Sequence, residues 1–176
     1  MSKRPEFKKA WAHFAEVYTA GSSDADALKL VADKIGGKVK VNIDSGEFAN
    51  ACPIRISYLL NYGGVAVPGP AAAEQLGLTG VVSGSDGKWY MFRVKDAMLL
   101  LDKRFGAADK IAKNPKRKDF AGMKGIIAIR GHGWADATGH ITLWDGTNFS
   151  DKNHLTDSSD NGTFVPEVAR LWTLLG

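Results

Sequence analysis

The sequence predicts an α+β domain, with helices through its first two thirds and strands in its last third. Up to residue 105, apolar residues recur mainly at helical spacing. From residue 125 the pattern turns to short apolar or alternating runs bounded by glycine, the mark of strands. Helical and strand patterns do not alternate along the chain, which excludes a sheet built of βαβ units.

Residues 6–18 place Phe7, Trp11, Phe14 and Tyr18 on one face of an amphipathic helix. A second helix is expected over 24–35, with Ser22, Ser23 and Asp24 as cap candidates and Gly36-Gly37 as its stop. KVKVNI, 38–43, alternates and reads as a short extended segment. Pro53 suits the first turn of a third helix, where its missing N–H costs nothing; Ile54, Ser57, Tyr58 and Asn61 follow at helical spacing. Residues 65–87, rich in Gly, Pro and Ala, read as an irregular loop. WYMFRV, 89–94, reads as a strand or the approach to a helix over 96–105. KNPKRK, 113–118, reads as a solvated basic connector. GIIAIR, 125–130, and HITLW, 140–144, read as antiparallel strands joined by the turn-rich link 131–139. Pro166 is expected to open a short helix over 166–175.

The 176 residues fit a single domain, 1–176, with a hydrophobic core: 44% are apolar and 24% charged, an ordinary globular balance. The net charge of +4 would suit an anionic partner. The basic loop carries no interleaved aromatic residues, so nucleic acid is not expected. The N-terminal segment has charges at Lys8, Lys9 and Glu16 where a secretory signal needs an apolar run. No stretch is apolar enough to span a membrane. The expectation is a chain made in the cytoplasm without a signal peptide, not inserted in a membrane, and reaching any outside substrate by another export route.

One cysteine, Cys52, rules out an internal disulfide. A lone cysteine is commonly a small buried hydrophobe. This one sits at or just before a helix N-terminus, where the helix dipole favours a reactive thiolate. A nucleophilic thiolate needs a base and an orienting group. Among the four histidines, His13 lies beside core positions, His132 between two glycines, and His154 in a polar stretch. His140 opens an alternating strand, whose ladder would fix its backbone. Alternation puts His140, Thr142 and Trp144 on one face and Ile141, Leu143 and Asp145 on the other. With the second set inward, His140 and Trp144 look into the groove, and Trp144 becomes a candidate substrate contact. Asp145 points away, in an Asp-Gly turn. Asp151, eleven residues after His140, would be brought back by an adjacent antiparallel strand to orient the imidazole. The Cys52 backbone N–H would serve as an oxyanion donor. Arg55, one turn into the helix, is read as a brace rather than a partner for a substrate carboxylate. No HExxH, CxxC or phosphate-loop pattern calls for a metal or cofactor.

Three stretches resemble a known family. FANACPIRISYLLN, 48–61, is similar to the nucleophile helix of the type VI secretion amidase effectors of the fourth family; GWADATGHITLWDG, 133–146, is similar to their histidine strand; and DNGTFVPE, 160–167, is similar to a later segment. The resemblance implies a papain-like, NlpC-type cysteine peptidase fold with helices packed on an antiparallel sheet. It implies hydrolysis of the γ-D-glutamyl–meso-diaminopimelate bond of peptidoglycan stem peptides, without a cofactor. It also implies delivery by the type VI apparatus into the periplasm of rival bacteria, and a cognate immunity protein that plugs the groove. The family triad carries over onto Cys52, His140 and Asp151. Some members tie the segment after the histidine strand with a disulfide, which one cysteine cannot make. Two alternatives stand beside this reading: a cysteine protease or deamidase acting on a protein, and a non-catalytic cell-wall-binding module with a structural cysteine.

Overall fold

The computed structural model describes residues 3–135 and 138–176. The link 131–139 therefore has two positions, 136 and 137, outside the described residues. Helices α1 (Phe7–Ala15), α2 (Asp24–Ile35), α3 (Gly37–Asp44), α4 (Cys52–Tyr62) and α5 (Pro70–Leu76) come first. A small hairpin, β1 (Val81–Ser83) and β2 (Trp89–Met91), leads into α6 (Val94–Phe105). The strands β3 (Lys110–Lys113), β4 (Gly125–His132), β5 (Gly139–Trp144) and β6 (Val165–Thr173) then form one antiparallel sheet in the order β3-β6-β4-β5. A 3-10 turn, Arg117–Phe120, precedes β4.

The helices cover one face of this sheet. Ile126, Ala128, Ile141, Leu143 and Trp172 point into a core shared with α1, α4 and α6. The opposite face carries Ile127, Ile129, Trp144, Ala169 and Leu171, covered by Phe120, Leu155 and Phe164 from the connecting segments. Helix α4 is buried on almost every side, so its few polar residues must be satisfied by the fold. Ser57 Oγ accepts the Met91 N–H at 2.8 Å and donates to the Pro53 carbonyl at 2.9 Å. One turn on, Asn61 Nδ2 donates to the Trp89 carbonyl and its Oδ1 accepts the Val67 N–H. These bonds clamp the helix that begins at Cys52 to β2.

Four sequence expectations change. Residues 38–43 form α3 rather than an extended segment: Val39 is buried and Ile43 packs beside it, an i,i+4 pair, while Val41 is 63% exposed. A strand would have put all three on one face. Gly37, at φ +59°, makes the turn into α3 where an added Cβ would lie 2.7 Å from the Gly84 backbone. The supposed loop 65–87 contains α5, started by Pro70 and ended by the left-handed Gly77, and also β1. The C-terminal segment is strand β6, not a helix. It lies between β3 and β4, and Pro166 sits opposite Gly131 at a register shift, where a missing N–H is tolerated. Strand β3 was not anticipated; its exposed lysines suit a sheet edge.

Candidate active site

The nucleophile candidate and the base candidate come from different layers. Ala51 and Cys52 start α4, which packs against edge strand β5, the strand carrying His140. Cys52 stands beside the His140 imidazole, near enough to favour its charged form. The other side of the ring meets the acid: His140 Nε2 donates to Asp151 Oδ1 at 3.0 Å. Asp151 Oδ2 lies 3.8 Å from Arg55 Nη1. His140, Asp151 and Arg55 thus form one chain of contacts, with Cys52 beside its histidine end.

Asp151 arrives by a turn and not by a strand. Asp145 Oδ1 accepts the N–H groups of Thr147 and Asn148, which sets the turn. Phe149 then bridges to Trp144, and the Ser150 N–H donates to the Leu143 carbonyl at 3.0 Å. The Ser150 and Thr142 hydroxyls bond at 2.8 Å, and Lys152 Nζ reaches Asp24 at 2.8 Å. These contacts hold the segment after the histidine strand in a chain with no disulfide.

Burial alone pulls the His140 imidazole toward neutrality. The Asp151 charge and hydrogen bond, then Cys52, overcome this and raise its pKa to about 10. For Asp151, burial pushes the carboxyl up, but the His140 cation, its hydrogen bond and the Arg55 charge hold it below the usual carboxylate range. The fold therefore supports an imidazolium paired with a carboxylate at neutral pH.

A cleft of about 340 Å³ opens onto this chain, lined by Tyr18, Asn50, Arg55, Trp134, His140 and His154 among others. Cys52 is 1% exposed, and its chain neighbours Asn50 and Ala51 line the cleft. Two expectations are corrected here. Trp144 does not line the cleft: it is 1% exposed, and its indole N–H donates to the Phe120 carbonyl inside the second core. Strand alternation gave its face correctly, but that face is covered at Trp144 and open only at His140. The Cys52 N–H is not free either, because it donates to Asn50 Oδ1 at 3.0 Å.

His154 and Trp134 were not singled out as site residues. His154 stands edge-on to the His140 ring, centroids 4.8 Å apart, and edge-on to Trp134, which stacks on Phe164. Burial first, then the His140 charge, depress its pKa to about 4. Nothing in the polar sequence around it signals this, since Trp134 and Phe164 reach it only through the fold. A depressed histidine contributes stability that is present above its unfolded pKa, near 6.5, and lost as pH falls through about 4. His154→Phe is accordingly expected to flatten the stability loss between these limits. Urea midpoints at pH 7, 5.5 and 4.5 check this, and an unchanged pH slope would count against it.

The family model for type VI secretion system (T6SS) amidase effector protein 4 matches residues 48–172. The chain belongs to the type VI amidase effector 4 family. Solved structures agree along the whole chain. The effector–immunity complex Tae4–Tai4 from Enterobacter cloacae matches at 46% identity and TM-score 0.85, covering 97% of this chain and 99% of that one. The effector Tae4 from Enterobacter cloacae matches at 45% identity and TM-score 0.83, covering 99% of each chain. The Tae4–Tai4 complex from Salmonella Typhimurium matches at 44% identity and TM-score 0.79, covering 98% and 99%. No curated protein matches. The family's α+β architecture, with helices packed on a sheet, is the one described above, and this amidase effector has among its described residues no helix long and apolar enough to cross a membrane.

Proposed function

We propose that this chain is a single papain-like, NlpC-type domain, 1–176, which hydrolyses the γ-D-glutamyl–meso-diaminopimelate bond of peptidoglycan stem peptides. The observation that supports the site assignment is the His140–Asp151 pair, bonded at 3.0 Å in the cleft wall, with His140 on the strand against which the Cys52 helix packs. Family membership supports the substrate. In the reaction, the Cys52 thiolate attacks the γ-carbonyl carbon and forms a C–S bond. The oxyanion takes over the Cys52 N–H from the Asn50 amide oxygen. His140 gives its proton to the departing diaminopimelate nitrogen as the C–N bond breaks. It then removes a proton from water, which attacks the thioester, releases the glutamyl carboxylate and restores the thiolate. Asp151 keeps the imidazole oriented and its cation stabilised.

The Enterobacter and Salmonella complexes with Tai4 support a cognate immunity protein as a partner. Delivery by the type VI apparatus into a rival's periplasm would bring the enzyme to its polymer. The test is to incubate the protein with diaminopimelate-type sacculi and, separately, with a panel of folded and unfolded proteins. Mass spectrometry should find stem fragments ending at D-glutamate and no protein cleavage or deamidation. Intact sacculi, or products cut at another bond, would overturn the reading.

A further inference from the structure

We propose that Arg55 is the carboxylate anchor of the cleft, gripping the α-carboxylate of the D-glutamyl residue whose γ-carbonyl Cys52 attacks; the inference rests on the amidase reading above. A guanidinium carries five N–H donors and no acceptor. Arg55 is 7% exposed, yet its Nε has no hydrogen-bond partner among the described residues. Its nearest carboxylate oxygen, Asp151 Oδ2, stands at 3.8 Å, too long for a hydrogen bond. The other carboxylate oxygen already belongs to His140. The guanidinium also lies over the face of Tyr18, 5.0 Å from the ring centroid, a contact that uses no donor. Arg4 shows what a structural arginine does in this fold: it bonds the Asp109 carboxylate, the Thr173 hydroxyl and the carbonyls of Thr173 and Phe105. Arg55 is charge-paired with Asp151 but makes no side-chain hydrogen bond of this kind among the described residues. It lines the cleft instead, with donors that an entering carboxylate would fill.

The spacing fits. Arg55 follows Cys52 by three residues on α4, so their Cβ atoms stand about 5–6 Å apart on one helix face. In the substrate, three carbons separate the α-carboxylate from the γ-carbonyl, a reach on the order of 5 Å from C–C bonds of about 1.5 Å. A carboxylate at Arg55 thus leaves the scissile carbonyl near the thiol. It would also add a second negative charge beside the guanidinium, which suits a planar fork that accepts bidentate partners.

The experiment compares three synthetic stem peptides: the free acid, the same peptide with the D-glutamyl α-carboxyl converted to an amide, and the peptide amidated on the free diaminopimelate carboxyl. Wild type is expected to lose about 10- to 100-fold in kcat/KM on the first amide, mainly through KM, and little on the second. Arg55→Met should lower kcat/KM on the free acid and bring the free-acid to glutamyl-amide ratio close to one. Arg55→Lys should retain part of it. This ratio does not depend on how much enzyme is folded. A purely structural arginine would lower both rates equally and leave the ratio unchanged, which overturns the anchor. Equal cleavage of all three peptides by wild type also overturns it, while leaving the amidase reading intact. No cleavage of any of them overturns both.

Discussion

Cys52→Ala is expected to abolish fragment release from sacculi, with the rate falling by about four orders of magnitude or more. The sulfur is the one atom in the proposed triad that can form the acyl bond. Its removal should nevertheless leave the fold close to wild type. His140 keeps its carboxylate partner, Asp151, at 3.0 Å, so no charge is orphaned. The lost side chain is small and lies beside other apolar groups such as Ile56 and Ile141. The expected stability change is about 1 kcal/mol. Activity and thermal midpoint should therefore separate widely in the same sample. His140→Ala should remove a comparable share of the rate, because residues that act as a unit fail together. It should also slow alkylation of Cys52 by iodoacetamide, since the imidazolium beside the sulfur is gone. Fragment release by Cys52→Ala at the wild-type rate would sink the assignment.

Much of the site was legible because it depends on short-range rules. Pro53 marked a helix start, and that placed Cys52 at its first turn. Alternation in HITLW chose His140 by giving it a ladder-held backbone, and the Asp145-Gly146 turn implied that the chain doubles back to Asp151. What stayed illegible depends on contacts between distant segments. Trp144 shares a face with His140, but only the folded chain shows that Phe120 and Phe149 cover it. His154 looked like one polar residue among several until Trp134 and Phe164 enclosed it. Arg55 read as a brace because its spacing on the helix says nothing of whether acceptors await it. The fold divides in the same way. Helices α1, α2 and α6 have strong periodic faces, and α4, buried on almost every side, was marked instead by Pro53. Segment β6 has Ala169, Leu171 and Trp172 buried, a short apolar run whose state is set by pairing with β4 and β3. Propensity could not decide it, and Pro166 misled.

Asp151→Ala is expected to cost more stability than any other single change in the site, about 3–5 kcal/mol, along with most of the activity. The carboxylate is 3% exposed and meets two cations, His140 and Arg55. Its removal leaves a buried guanidinium and a buried imidazole with no acid beside them. Asp151→Asn should cost less stability, because the amide oxygen still accepts the His140 N–H, but it removes the charge that does most to hold the imidazole protonated. Two pH effects follow. The raised His140 pKa contributes stability that is full below its unfolded value, near 6.5, and lost as pH rises through about 10. The lowered Asp151 pKa contributes stability present above 3.8 and lost as pH falls through its folded value. The gap between wild type and Asp151→Asn should therefore be widest between roughly pH 4 and 6.5 and narrow on both sides. In activity, the alkaline limb of wild type should lie near the raised His140 value, and Asp151→Asn should move it to lower pH while reducing kcat by about 10³- to 10⁴-fold. Adding Arg55→Met to Asp151→Ala should recover part of the lost stability by removing the orphaned cation. If Asp151→Ala kept the wild-type urea midpoint, the buried pairs would not carry the energy assigned to them. If Asp151→Asn kept the wild-type alkaline limb, the carboxylate would not be what holds His140 protonated.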